Sequence, residues 1–379
     1  MGEVLNKVII DLAALRRNYQ ALRRRLAPGV EIMAVVKSNA YGHGLERCAL
    51  TLARAGARVF GVAKVEEGVR LRQAGVAGEI VIMLGVRPAD FEALLHHDLS
   101  PVVYDPAGLG ELAARAAAMN KRVGVHLKID TGMGRLGVMP DQLGALLAEL
   151  TRTDRLNLAG VMSHFPLADT AAPAVSLIQC QRFQELIDRF PVLSGRQVVR
   201  HMANSAALLR FPETHLDMVR PGITLYGCYP GGGLAATAGL DLLPVMQFST
   251  MVVQLKEVPA DYGLSYGHLH VTRRPTRLAV LPVGYDDGYL RGLTGQAMVL
   301  IRGRRVPVLG RICMNACVAD VSDLPEVQPG DPVILFGRQG GERILVDELA
   351  DWLGTINYEV LCLVGERNPR LYVDDQPDG

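Results

Sequence analysis

Lys37 closes an apolar run, Met33-Ala34-Val35-Val36, and opens the string Ser-Asn-Ala-Tyr-Gly-His-Gly. A lysine at a strand end is ordinarily a solvated surface residue. At the mouth of an apolar cavity the same amine is desolvated, its pKa falls, and it becomes suited to Schiff-base chemistry. Gly42 and Gly44 supply hinges, and the Tyr41 hydroxyl beside them suits a phosphate-bearing ligand. Asn204-Ser205 and Arg220-Pro221-Gly222-Ile223 add hydroxyl and backbone N–H donors of the kind that cradle phosphate. Taken alone, Asn204-Ser205 also reads as a helix N-cap and Arg220 as half of a structural ion pair. A lysine on one strand tip and a phosphate cradle on two others is the arrangement a pyridoxal 5'-phosphate enzyme requires.

Such residues need elements to bring them together. Short β-rich apolar runs occur at Ile32–Val36, Val59–Ala63, Ile80–Leu84, Pro101–Val103, Val123–Ile129, Leu158–Met162, Val198–Met202 and Asp217–Arg220. Between them the spacing predicts helices, among them Val65–Ala74, Leu109–Met119, Gln142–Leu150 and Ile178–Phe190. This alternation implies parallel strands joined by crossovers. Eight units in about 230 residues suit an α/β (β/α)8 barrel, typically about 250 residues long, with a doubly wound open sheet as the alternative. Residues just after each barrel strand form the active face. Here those positions are Lys37-Ser38-Asn39, Asp130-Thr131-Gly132, Ser163-His164, Ala203-Asn204-Ser205 and Arg220-Pro221-Gly222.

The texture changes at Gly231-Gly232-Gly233 and the small-residue stretch Leu234–Gly239. Beyond it the pattern is β at Met246–Val258, Arg277–Val283, Met298–Val308, Ile312–Val321 and Pro332–Phe336, with helix scarce until Val346–Leu353. The expected division is therefore a barrel over 1–238 and a mostly-β domain over 239–379. Val8–Ile10 is too short for a signal segment, and the polar Asp374–Gly379 reads as a frayed tail.

Composition narrows the function classes. Forty Lys and Arg against 39 Asp and Glu leave +1, so no charge excess drives binding to nucleic acid or an anionic membrane. No apolar run reaches the length of a transmembrane helix. The six cysteines contain no C-x-x-C pair, and Cys313 and Cys317 lack a second pair or nearby His to complete a metal set. Reduced thiols in a cytoplasmic protein, with no metal, are expected.

The string AVVKSNAYGHG (34–44) resembles the cofactor-lysine motif of alanine racemases. So do KIDTGMGRLG (128–137), HMANSAA (201–207), RPGITLYG (220–227), LSYGH (264–268), LPVGYDDGY (281–289), GRICMN (310–315) and INYE (356–359), in the family's order over essentially the whole chain. The resemblance implies a barrel followed by a β domain, a head-to-tail homodimer with shared active sites, and cytoplasmic L-alanine/D-alanine interconversion supplying D-alanine for peptidoglycan. Position by position, it implies that Lys37 holds pyridoxal phosphate and serves the D face, while Tyr266 of the partner subunit serves the L face. Arg220 would face the pyridine nitrogen. Tyr41, Asn204, Ser205, the backbone of Gly222 and Ile223, and Tyr358 would form the cofactor site. Arg135 and a partner's Met314 would contact the substrate carboxylate, and His164 would link Tyr266 to Arg220. Lys128 matches a lysine carbamylated in many members. Tyr285 and Tyr289 would stand near the mouth of the site, with Arg291 assisting or merely at the surface.

Chemistry supports these roles. Racemisation needs acid/base groups on opposite faces of a planar carbanion, since one base tends to return the same isomer. A tyrosine, with a pKa of about 10, needs neighbours that lower it to act as a base near neutrality. An arginine does not give up its proton, so at the pyridine nitrogen it weakens the electron sink and limits side reactions. Two departures stand out: Ser38 replaces a usual alanine, and Asn315 a usual aspartate, which removes a charge and puts fine specificity in question. Tyr358 would crowd the pocket in favour of a methyl side chain. The competing readings are a racemase of serine or of broad specificity, an amino-acid decarboxylase of this architecture, and a cofactor-binding protein without turnover.

Overall fold

The computed structural model describes residues 5–170, 173–231, 233–234 and 239–374. Most of the expected texture change at 232–239, and the end of the polar tail, lie outside them. Among the described residues, one unit comprises those within Leu15–Ala40 and Leu45–Leu243, and the other those within Met1–Ala14, Tyr41–Gly44 and Pro244–Gly379.

The first strand, β1 (Lys7–Asp11), belongs to the second unit; the next eight build the first. These are β2 (Glu31–Val35), β3 (Val59–Val62), β4 (Glu79–Ile82), β5 (Ser100–Val103), β6 (Val123–Lys128), β7 (Leu156–Met162), β8 (Val199–His201) and β9 (Met218–Val219). They form one sheet in the order β8-β7-β6-β5-β4-β3-β2-β9, every pair parallel. The sheet closes on itself where Asp217 N–H donates to Arg200 O at 3.1 Å and Arg220 N–H to Ala203 O at 2.8 Å. Arg200 seals that seam with a two-pronged pair to Asp217, at 2.7 and 2.8 Å. Each expected run lands on one of these strands, and a (β/α)8 barrel is the result. Met33, Val81, Val102, Met162 and Met218, all buried, pack together in its core.

In the second unit the chain continues through β10 (Met246–Met251), β11 (Gln254–Val258), β12 (Gly263–Leu264), β13 (His270–Val271), β14 (Thr276–Leu281), β15 (Met298–Ile301) and β16 (Arg304–Leu309). It ends with β17 (Cys317–Asp320), β18 (Pro332–Gln339), β19 (Glu342–Ile344) and β20 (Arg370–Val373). The main path is β11-β14-β17-β16-β15-β18-β10-β1-β20. Thus β1 pairs antiparallel with β10 and parallel with β20, burying Val8 and Ile10 completely. Unlike a single cut between 238 and 239, the division by packing therefore places the first strand with the C-terminal sheet.

Three expected runs resolve into shorter pieces, the first being Met246–Val258, which divides into β10 and β11. Met298–Val308 is a hairpin, because Arg302 and Gly303 take left-handed φ values of 51° and 74°. Ile312–Val321 is strand only from Cys317, so Cys313, Met314 and Asn315 lie in a loop. The helix Asn357–Arg367, which carries Tyr358, escapes the sequence reading because its apolar residues are not confined to one face. No helix among the described residues is long and apolar enough to cross a membrane.

Candidate active site

In the barrel unit the C-terminal strand ends gather most of the expected residues. Lys37, half-buried, stands two residues beyond β2 and starts a turn in which Ser38, Asn39, Ala40 and Tyr41 all have φ between 53° and 55°. L-residues disfavour this left-handed conformation by roughly 1–2 kcal/mol each, and a run of non-glycines in it is uncommon. Ala40 N–H donates to Val36 O at 2.8 Å, closing the turn.

Lys128 ends β6 and is only 5% exposed. Burial, then the Arg220 and Arg135 guanidinium groups, push its amine down to about 8; Asp130 opposes this and Lys37 adds to it. Asp130 begins the loop to Arg135, and its carboxylate accepts the N–H groups of Gly132, Met133 and Gly134 on Oδ1 and of Arg135 on Oδ2, at 2.8–3.2 Å. Burial alone would raise this acid; the backbone donors outweigh it and hold it below its ordinary range.

Arg220, 4% exposed, donates to Ser163 O at 2.7 Å, Met202 O at 3.0 Å, His201 Nδ1 at 3.0 Å and His164 Nδ1 at 3.2 Å. Burial pushes its guanidinium down to about 9, still charged at neutral pH. Because an arginine only donates, both imidazole nitrogens that face it must accept. His164 is accordingly neutral: burial, then Arg220, Lys128, Arg135 and Lys37, hold its pKa well below the ordinary value.

His201 extends this polar line into the barrel. With Nδ1 accepting from Arg220, its Nε2–H is left to donate to His126 Nδ1 at 2.9 Å, and His126 Nε2–H to Glu79 Oε1 at 3.1 Å. Burial, Arg220 and His126 keep His201 well below its usual pKa. Gly160 makes room, since a Cβ there would lie 2.4 Å from His126 Nδ1. Gln179, 3% exposed, ties the tips of β6 and β7 by donating to Thr131 Oγ1 and His164 O at 3.0 and 2.7 Å. Sequence reading did not single out Glu79, His126, His201 or Gln179. Only His201 lay inside a quoted motif.

Asn204 is indeed a helix N-cap, its Oδ1 accepting Ala207 N–H at 3.0 Å. Ser205 Oγ accepts from Gly222 N–H at 2.9 Å and from the Thr224 hydroxyl at 3.1 Å, which leaves its own O–H to donate. The Gly222 N–H, expected to face a ligand, therefore has a protein acceptor. Ile223 opens the short 3-10 helix Ile223–Tyr226.

The second unit carries the remaining residues in two places. Tyr41, buried, lies against Tyr358, with ring centroids 5.9 Å apart. Burial, then Tyr358 and Cys362, push the Tyr41 hydroxyl far up, so it stays protonated. Gly42 permits this packing, because a Cβ there would be 2.5 Å from Leu361 O. Elsewhere, Tyr266 is 72% exposed and Met314 54% exposed. Ser265 joins their loops, its hydroxyl donating to Arg311 O at 2.7 Å. Tyr285 N–H donates to Cys313 O, Asp286 N–H to Met314 O, and Asn315 Nδ2 to Asp286 Oδ2 at 3.3 Å. The carboxylate missing at 315 is thus present one loop away. Tyr285 is half-buried, but Tyr289 is fully buried in the core, so the expectation of a mouth residue there is corrected. Arg291 is exposed.

Comparison with known proteins bears on both units. Residues 10–230 match the family model for the alanine racemase N-terminal domain, and residues 245–372 that for its C-terminal domain. The chain is 45% identical over 360 residues to an alanine racemase of Syntrophobacter fumaroxidans, covering 94% of this chain and 95% of that one. It is 41% identical over 366 residues to an alanine racemase of Halothermothrix orenii, covering 96% and 95%. Among solved structures, the alanine racemase of a D-cycloserine-producing Streptomyces lavendulae superimposes with a TM-score of 0.91 at 36% identity, covering 98% of each chain. The biosynthetic alanine racemase of Pseudomonas aeruginosa gives 0.87 at 34%, covering 98% and 100%.

Proposed function

This chain belongs to the alanine racemase family, an isomerase that interconverts L-alanine and D-alanine, and from that premise we propose how its own residues divide the work. The cofactor is pyridoxal 5'-phosphate, which when bound supplies an electron sink that acidifies the substrate's α C–H bond. One observation carries the assignment. Arg220, Arg135, Lys37 and Lys128 all act electrostatically on one neutral histidine, His164. The carboxylate Lys128 does feel, Asp130, is committed to four backbone N–H groups. A concentration of cations of this kind fits a phosphate-bearing cofactor and an amino-acid carboxylate.

The barrel residues, joined by Tyr41 and Tyr358 of the second unit, hold the cofactor, and the second unit supplies the second base. Lys37 Nζ anchors the cofactor at rest and holds or returns the α-proton on the D face. Tyr266 of the partner subunit does so at its Oη on the L face. Arg220 would face the pyridine nitrogen, donating without surrendering its proton. Tyr41, Ser205, the backbone of Ile223, and Tyr358 hold the phosphate, with the Gly222 N–H bonded to Ser205 Oγ behind them and Asn204 supporting the cradle as a cap. Arg135 and Met314 of the partner subunit orient the substrate carboxylate, and His164 joins Tyr266 to Arg220. The exposure of Tyr266 and Met314 on one loop cluster supports a homodimer with shared sites, because a base that excludes water must be covered. The enzyme is cytoplasmic and supplies D-alanine for peptidoglycan.

The test is proton NMR of L-alanine in deuterium oxide with the holoenzyme, joined to chiral analysis. Loss of the α-proton signal with D-alanine appearing is expected. Exchange without inversion would remove the second base, and no exchange would remove alanine as substrate.

Lys128 carries a separate expectation. A neutral amine attacks carbon dioxide, its nitrogen–carbon bond forms, and one proton leaves to solvent, giving a carbamate anion. With the amine near 8, the neutral form is well populated at slightly alkaline pH and scarce below about 7. The product replaces repulsion from Arg135 with attraction and so steadies that side chain. Labelled bicarbonate should give a carbamate NMR signal that grows as pH rises through about 8 and is absent in Lys128→Met. No signal above that pH would leave Lys128 an unmodified amine.

A further inference from the structure

We infer that Glu67 is a positioning residue for Lys37, an inference that rests on the assignment of Lys37 above. Glu67 sits in the first turn of the helix Val65–Gln73, which follows β3. Half of its work is local. Its Oε2 accepts Ala63 N–H at 2.9 Å and Lys64 N–H at 3.4 Å, so it caps its own helix. The other oxygen leaves that helix altogether. Oε1 accepts the N–H of Asn39 at 3.2 Å, inside the left-handed turn that follows Lys37.

The same helix delivers a second group onto the same residue. Arg70, three positions on and therefore on the same helix face, donates to Asn39 Oδ1 at 3.5 Å and pairs through Nε with Glu46 at 2.7 Å. Asn39 Oδ1 also accepts Leu45 N–H at 2.8 Å. Asn39 is thus gripped at its backbone by a carboxylate and at its side chain from two directions. A turn of four non-glycine residues at φ near +54° runs against their intrinsic preference and persists only when its surroundings over-determine it. The backbone leaving Lys37 sets the cone through which its Nζ can swing. By fixing Asn39 N–H two residues on, Glu67 sets that cone and, through it, the pre-organisation of the amine that anchors the cofactor.

A cap alone would affect stability and nothing else, so the experiment compares Glu67→Ala and Glu67→Gln with Arg72→Ala. Arg72 lies on the same helix and bonds to the carbonyls of Val76, Gly78, His97 and Asp98, away from the turn. Wild-type holoenzyme is first reduced with borohydride and the cofactor-bearing lysine mapped. Label on any lysine other than Lys37 overturns the underlying assignment and the inference with it. The apoproteins are then compared by amide hydrogen exchange at Asn39 and Ala40, and by equilibrium dialysis of pyridoxal phosphate.

Glu67→Ala should speed exchange at both amides and weaken cofactor retention about tenfold to a hundredfold, the worth of a hydrogen bond to a charged acceptor. Glu67→Gln keeps an oxygen for Asn39 and should recover part of the loss. Arg72→Ala should lower the melting temperature without moving either readout. If Glu67→Ala merely melts earlier, with exchange and retention as in wild type, or if Arg72→Ala reproduces its effects, the role is a helix cap and the inference fails.

Discussion

Lys37→Ala should abolish racemisation in both directions, by a factor of at least about 10³, because it removes a covalent anchor and a proton carrier at once. The two losses share one side chain and do not add. The half-buried position of Lys37 argues that the fold survives the change, which circular dichroism would confirm. The informative competitor is Lys128. Its amine is already brought down to about 8, so it is the readier nucleophile if the cofactor could reach it. A Lys37→Ala protein that still formed a reducible adduct, mapped to Lys128, would move the anchor from β2 to β6. A protein with no adduct and no exchange from either isomer keeps the assignment.

Tyr266→Phe should separate the two directions. In deuterium oxide, loss of the α-proton from L-alanine should fall by about 10²–10⁴, the usual worth of a general base, while exchange from D-alanine persists. The hydroxyl is on a 72% exposed side chain, so its removal leaves the folded subunit as it was. Equal loss from both isomers would reject the assignment of faces. The same variant tests the shared site. Lys37→Ala and Tyr266→Phe proteins, each inactive in racemisation, should regain activity when unfolded and refolded together, because a mixed dimer rebuilds one site with both bases. No recovery would place both bases in one subunit.

Much of this was legible from the chain because parallel barrel strands, buried on both faces, read as continuous apolar runs; all eight are found where the residues put them. The C-terminal sheet was harder. Antiparallel strands there are separated by turns as short as Arg302-Gly303, and β1 joins a sheet whose other members lie more than 230 residues away. Candidate residues set inside motifs, such as Lys37 and Arg220, were singled out from the sequence. Those that support them were not, since Gln179 looks like any helix glutamine and Glu79 like any strand-edge acid. Tyr289 illustrates the converse: a motif neighbour of Tyr285 whose ring turns inward. The left-handed turn gave no signal at all, because Ser-Asn-Ala-Tyr contains no glycine to mark it.

The line from Glu79 through His126 and His201 to Arg220 has a sense of direction. Every N–H along it points away from the arginine end, and it terminates in a group that keeps its proton at neutral pH. It is therefore a poor wire and a good ratchet. Hydrogen ions cannot be handed along it, because the first station gives nothing up. What it does transmit is orientation: turning either imidazole over would set two donors or two acceptors face to face, so the rings hold one another like cogs. A change of charge at the Glu79 end of the barrel would consequently be read at the guanidinium as a change of aim rather than as a change of protonation.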